Sequence, residues 1–185
     1  MSDDLRQLKH IDFNFTIEQI DKTFNWTEQL ACDPEDSVQG AFKYGYTTYH
    51  VKHTVSEYFD LSDRYAQEFS SVLEQFPNRE WCRARFEILK PATLLKHHLD
   101  STSLETYIKY WTDKRRDCLI DSNSDRFRQS TVYCQDHKPG HFTCILDNMI
   151  YDWRMGDYCD YSDVSHASGN FGTEKYYVML VDYTV

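Results

Sequence analysis

The chain has 185 residues, 41% of them hydrophobic and 16% aromatic, with charges dispersed rather than blocked. That length and texture suit one domain with a real core and argue against disorder. The formal net charge of -10 argues against nucleic acid as a partner, which needs a basic footprint, and against an anionic membrane surface.

The opening segment, MSDDLRQLKH, has no apolar stretch and does not read as a secretory signal. No run is long enough to span a bilayer. Cysteines stand at 32, 82, 118, 134, 144 and 159, and none form a C-x-x-C pair. With no export signal they are read as reduced thiols, and the expected compartment is the cytoplasm. The sequons at Asn14 and Asn25 then carry no sugar.

In TIEQIDKTFNWTEQLAC, Ile17, Ile20 and Phe24 fall near one helical face, and Thr16 with Gln19 three residues on predicts a capping box. DPEDSVQG breaks the pattern, and AFKYGYTTYHV reads as a strand or hairpin. Apolar residues at Tyr58, Leu61, Tyr65, Phe69, Val72 or Leu73, and Phe76 follow a helical period that PN ends. After Pro77 the texture turns to short strands: WCRARFEILK, PATLLKHHLDS, LETYIKYWTDKRRDCLIDS, RQSTVYCQDH, HFTCILDNMIYDW and EKYYVMLVDYTV. Turn signals such as KPG separate them, as in an antiparallel sandwich or barrel. The expected fold is mainly β with N-terminal helices. Residues 1–80 would form a helical support and residues 81–185 the β core of one domain.

Within LLKHHLDS, a strand places His98 and Asp100 on one face and His97 on the other. An imidazole beside a carboxylate can bind a divalent metal, although H-x-D alone is a common chance pair. Near the C-terminus, His166 follows a Gly-Asp turn, and Lys175 opens an apolar strand nine residues later. On that strand Lys175, Tyr177, Met179 and Val181 share a face. A lysine at a buried face needs an anionic partner.

His98-x-Asp100, a distal His166 and a basic residue shortly after it resemble the iron(II)/2-oxoglutarate-dependent dioxygenase superfamily. RARFEILKPATLLKHHLDS looks like the aspartyl/asparaginyl β-hydroxylase-like branch, and lysine as the basic residue is similar to prolyl hydroxylases. Ala92 stands where a glycine often follows the proline. The resemblance covers roughly residues 81–183. It implies a double-stranded β-helix, the jelly roll of cupins, with Fe(II) held by His98, Asp100 and His166. It also implies 2-oxoglutarate and O2 as cosubstrates, release of succinate and CO2, and hydroxylation of an amino-acid side chain or small metabolite. Lys175 would pair with the far carboxylate of 2-oxoglutarate. Arg116, with Arg115, could reach the near carboxylate, although a solvated turn is the plainer reading. Asn170 would support the loop after His166, and Tyr177 would hydrogen-bond the cosubstrate.

Cys134, His137, His141 and Cys144 have zinc-ligand types, but an odd spacing on a strand puts cysteines and histidines on opposite faces, and no zinc site is expected. His50 and His53 are likewise read as surface residues. Two other functions fit the same fold: a cupin-type module that binds without turnover, and a cupin metalloenzyme that does not use 2-oxoglutarate. A solvent-facing Lys175 would favour these.

Overall fold

The computed structural model describes residues 8–30, 52–98, 103–114, 126–161 and 164–185. The first part of the chain supplies β1 (Lys9–His10), α1 (Ile17–Thr23), β2 (Trp26–Leu30), β3 (Lys52–Ser56), β4 (Phe59–Asp60) and α2 (Ser70–Leu73). Then follow β5 (Arg83–Leu89), β6 (Thr93–His98), α3 (Ser103–Lys114), β7 (Phe127–Tyr133), β8 (His141–Ile145) and β9 (Asn148–Ile150). The chain closes with β10 (Asp157–Asp160), β11 (His166–Asn170) and β12 (Tyr176–Thr184).

The larger sheet runs β1-β10-β7-β12-β5-β3-β2, with β4 also on β5, and the smaller runs β6-β11-β8-β9. All pairings are antiparallel. From β5 onward the chain crosses repeatedly between the two sheets, which is the winding of a double-stranded β-helix. Among the described residues of 8–80 there is less helix than expected, because β2 and β3 extend the larger sheet.

Two cores follow from strand alternation. One lies outside the larger sheet, where Ala84, Phe86 and Ile88 of β5 and Tyr177, Met179, Val181 and Tyr183 of β12 meet Ile20, Phe24, Phe69 and Leu73. The other lies between the sheets and includes Leu89, Leu95, Tyr133, Ile145, Cys159, Tyr161, Tyr176 and Val178.

Local chemistry explains the N-terminal elements. The Thr16 hydroxyl accepts from Gln19 N–H at 3.2 Å, and Gln19 Oε1 accepts from Thr16 N–H at 2.8 Å, so the predicted capping box starts α1. The helix expected from Tyr58 to Phe76 is interrupted. Asp60 Oδ1 accepts from both the backbone N–H and the hydroxyl of Ser62, each at 2.7 Å. This local turn competes with helical hydrogen bonding. Arg64–Phe69 is then a 3-10 segment, and α-helix appears only over Ser70–Leu73. The AFKYGYTTYHV stretch lies outside the described residues.

Two features anchor the sheets. Thr93 N–H bonds the Lys90 carbonyl at 3.1 Å, closing a turn with Pro91 and Ala92 at its centre. Ala92 has φ +63°, the left-handed region that favours glycine. Arg83 and Asp182 form an ion pair with each side chain 2% exposed. Arg83 Nε and Nη2 reach Asp182 Oδ2 at 2.9 and 2.7 Å, and Nη1 donates to the Thr106 carbonyl at 3.0 Å, tying α3 to the sheet.

Ala92→Gly is expected to leave the melting temperature unchanged or raise it, because relief of about 1 kcal/mol of left-handed strain offsets the added unfolded-state freedom. Ala92→Val is expected to lower it. Asp182→Ala is expected to cost about 3–5 kcal/mol in denaturant unfolding, since it leaves the buried guanidinium uncompensated. A loss below about 1 kcal/mol would mean that the pair is dispensable.

Candidate metal centre

The inter-sheet space is built from rows of residues paired across each sheet. In the smaller sheet His98, His166 and Ile145 form one row, and Leu95, Ser168 and Thr143 the next. Asn170 with Thr93 and His141 forms a third row. The ladder shifts between His166 and Ser168, so that His98, not His97, stands opposite His166. The two histidine positions named from sequence are thus cross-strand neighbours. Asp100 and Arg116 lie outside the described residues.

His166 is 8% exposed, and its Nδ1 lies 3.1 Å from the Val164 carbonyl. A carbonyl only accepts, so Nδ1 carries the proton and Nε2 is the unprotonated ring nitrogen. The ring packs on Tyr161, with centroids 4.1 Å apart. Together these contacts fix both the tautomer and the ring plane of His166. Among the described residues no cluster of three or more His, Cys, Asp or Glu forms.

Lys175 and Tyr177 require correction. Tyr177 belongs to the outer core, not to the space between the sheets. Its hydroxyl donates to Asp21 of α1, 3.1 Å from Oδ2, and Lys175 Nζ donates to that hydroxyl at 3.4 Å. Lys175 is exposed. The reason is the alternation of β12: Tyr176, Val178, Leu180 and Asp182 take the inner face, so their neighbours take the outer one. Lys175 and Tyr177 pin α1 to the sheet and do not enter the barrel.

Asn170 is fully buried and braces the loop that follows β11. Its amide donates to the Leu89 and Glu174 carbonyls at 2.8 and 2.7 Å, and Oδ1 accepts from Gly172 N–H at 3.0 Å. With both ends engaged it is a loop brace rather than a cosubstrate contact. Cys134 packs in the outer core against the larger sheet, whereas Cys144 sits on β8 of the smaller sheet. The zinc-like set accordingly does not assemble. His53 is buried, not superficial, with Nε2 3.5 Å from Glu87 Oε1. His50 lies outside the described residues.

Below the histidine row the barrel is lined by neutral hydroxyls. Thr143 Oγ1 lies 2.9 Å from Tyr176 OH and 3.5 Å from Ser168 Oγ. Tyr133 OH lies 3.4 Å from Cys159 Sγ, and burial pushes that thiol up to about 12. Tyr133 and Trp153 stack at 4.1 Å, and Tyr176 stacks on His141 at 4.7 Å. Burial draws the His141 imidazole below its ordinary range, keeping it neutral.

Sequence reasoning passed over the charged residues of β5. Arg83, Arg85 and Glu87 share the face opposite Ala84, Phe86 and Ile88. Arg85 Nη2 donates to Glu87 Oε1 at 2.7 Å, and its Nε is buried without a hydrogen-bond partner. Burial opposes the charge on Glu87, but His53 and Arg85 win and hold its carboxyl at about 2. The signal was visible as R-x-R-x-E, three charges at period two in a strand whose other face is apolar.

No protein-family model matches the chain, and no curated protein sequence matches it. Solved structures do. An oxidoreductase of the 2OG-Fe(II) oxygenase family from Burkholderia pseudomallei aligns over 91% of this chain and 78% of its own, with 11% identity and a TM-score of 0.50. A prolyl-4-hydroxylase from Pseudomonas putida aligns over 88% and 94%, at 10% identity and TM-score 0.44. A predicted oxalate decarboxylase from Thermotoga maritima aligns over 71% and 82%, at 12% identity and TM-score 0.39. At these identities the likeness is one of fold: a double-stranded β-helix of the kind found in cupins and 2OG-Fe(II) oxygenases.

Proposed function

We propose that the chain is a metal-dependent oxygenase of the 2-oxoglutarate type, with Fe(II) held by His98, Asp100 and His166. The observation that carries this reading is the His98–His166 register together with the Nδ1 contact to Val164, which presents His166 Nε2 as a ligand. Two imidazoles and one carboxylate suit a ferrous ion with open positions. When bound, the iron supplies the redox chemistry that activates O2.

The rest of the work falls to the chain's own residues. The Val164 carbonyl holds the His166 proton on Nδ1, and Tyr161 limits rotation of the ring. Tyr133, Trp153 and Tyr176 keep the barrel floor dry, which strengthens electrostatic interactions above it. The Thr143, Ser168 and Tyr176 hydroxyls can orient a polar ligand by hydrogen bonds. The prime substrate is proposed to be an amino-acid side chain or small metabolite entering from the histidine end.

A second reading, a cupin metalloprotein that does not use 2-oxoglutarate, is favoured by the placement of Lys175 outside the barrel. The two readings separate in one measurement. Under anaerobic conditions, 2-oxoglutarate added to the Fe(II)-loaded protein is expected to produce a visible charge-transfer band and, in air, succinate. Metal binding without either would favour the second reading.

His166→Ala is expected to abolish stoichiometric Fe(II) binding, measured by equilibrium dialysis, while far-UV circular dichroism is unchanged. Asp100→Ala is expected to weaken Fe(II) at least tenfold and to stop succinate formation. Wild-type metal affinity in either variant would refute the ligand set. Lys175→Ala is expected to leave 2-oxoglutarate affinity within twofold of wild type.

A further inference from the structure

The two cores bury their rings with different chemistry. In the outer core the aromatic mass is largely phenylalanine, with Phe24, Phe59, Phe69 and Phe86 packed on one another. The cluster of buried residues between the sheets contains no phenylalanine. Its rings are Tyr133, Tyr161, Tyr176 and Trp153, and the Cys159 thiol joins them. Packing alone would favour phenylalanine here, because a buried phenol must also find a hydrogen-bond partner. Tyr133 is bonded to a weak one, Cys159 Sγ at 3.4 Å. Burial holds that phenol and that thiol in their protonated forms. Phenol, indole, thiol and thioether are the side chains that give up electrons most readily, and the phenyl ring is not among them.

Their order in space is continuous. The Tyr161 ring packs on His166 at 4.1 Å. Cys159 stands two residues earlier in the same core, about 7 Å away along the chain. Tyr133 OH meets the Cys159 sulfur, and the Tyr133 ring stacks on Trp153 at 4.1 Å with 11° between planes. Trp153 Nε1 donates to the Gln135 carbonyl at 3.1 Å, an acceptor that favours a positively charged indole. Trp153 itself is 3% exposed, but Tyr151 and Met155, two residues to either side, are 64% and 38% exposed. A row of oxidisable side chains therefore runs from His166 to solvent.

We infer that Tyr161, Cys159, Tyr133 and Trp153 form an electron-transfer path that reduces an O2-derived oxidant at the metal centre when no substrate is present to do so. This rests on the proposed metal centre, not on the choice of cosubstrate. In each pass the oxidant gains one electron from the path and one proton from water, forming an O–H bond. Each residue along the row gives an electron toward the metal and receives one from the next. Tyr133 shifts its proton no farther than its contact with Cys159 and takes it back. At the surface the O–H bond of Tyr151 breaks, its electron entering the path and its proton leaving to solvent. Two passes drawn from Met155 convert it to the sulfoxide, with oxygen from water and two protons released. The damage of an uncoupled turnover then falls on surface side chains and spares His166.

The test uses full-length protein loaded with Fe(II) and treated with hydrogen peroxide without substrate, with zinc-loaded protein as the background. Peroxide supplies the oxidant whether or not 2-oxoglutarate is the cosubstrate. Oxidised residues are mapped by mass spectrometry, and bound iron is measured separately. Wild type is expected to carry its iron-dependent oxidation on Tyr151 and Met155, with His166 intact. Trp153→Leu is expected to lower oxidation at Tyr151 and Met155 at least tenfold and to place it on Tyr161 and His166. Tyr133→Phe keeps the ring and its packing and is expected to shift the map in the same direction. This variant keeps the test decisive if Trp153→Leu does not fold. Oxidation centred on His166 in wild type, or a map unchanged in a folded variant, would overturn the path and leave the metal centre standing. Absence of iron from wild type would overturn both.

Discussion

Strand β12 lies between β5 and β7 at the centre of the larger sheet and is almost wholly buried. A strand so placed must serve two cores, and its period of two allows no residue to serve both. Tyr177, Met179, Val181 and Tyr183 are committed to the N-terminal elements, and Tyr176, Val178, Leu180 and Asp182 to the space between the sheets. A slip of one residue would exchange every one of these assignments. The register is fixed from both flanks, by unbroken pairing with β5 from Tyr176 to Asp182 and with β7 from Val178 to Thr184. Which residues can meet a ligand follows from this constraint before any chemistry is considered.

The second organising fact is that charge has been carried into the inter-sheet space in compensated sets. Arg83 faces Asp182, and Arg85 faces Glu87, which also meets His53. Ion pairs in such places seldom add stability over an apolar replacement, yet half of one is costly. The Arg83 pair offsets its burial by joining three elements: β5, β12 and, through Thr106, α3. The Arg85 set does not close in this way, because one N–H remains unmatched. Net charge misleads about such a site. The chain is strongly acidic overall, but the field at the histidine row is set by groups within a few ångströms, not by the distant surface.

Much of the fold was legible because it rests on short-range rules. The capping box at Thr16, most of the strands after Pro77 and the antiparallel barrel follow from spacing and turn chemistry, but LETYIKYWTDKRRDCLIDS, read with the strands, holds the helix Ser103–Lys114. His98 and His166 stand out in the sequence as H-x-D and a distal histidine, and the ladder pairs the two positions across β6 and β11. The failures on β12 share one cause. For EKYYVMLVDYTV both faces are apolar, so the pattern says "buried strand" without saying which face looks inward. Lys175 and Tyr177 were placed inside on the strength of their order in the chain. Their face belongs to α1, where Asp21 waits as a polar partner. The stretch from Tyr58 to Phe76 failed for a different reason: its apolar period is real, but Asp60 diverts the backbone into a turn before the period can be realised as helix.

The adjacent histidines show how an irregularity decides register. Counting regularly from the Ser168–Leu95 pair, His166 would stand opposite His97. The observed ladder places it opposite His98, so β6 carries one residue more than β11 over this interval. Such a bulge costs local pairing and re-aims the side chains beyond it. Without it, the row that includes Leu95 would continue to His97 rather than to His98. With it, the alternation is reset at the level of His166. The second histidine of KHH is the one that the backbone selects.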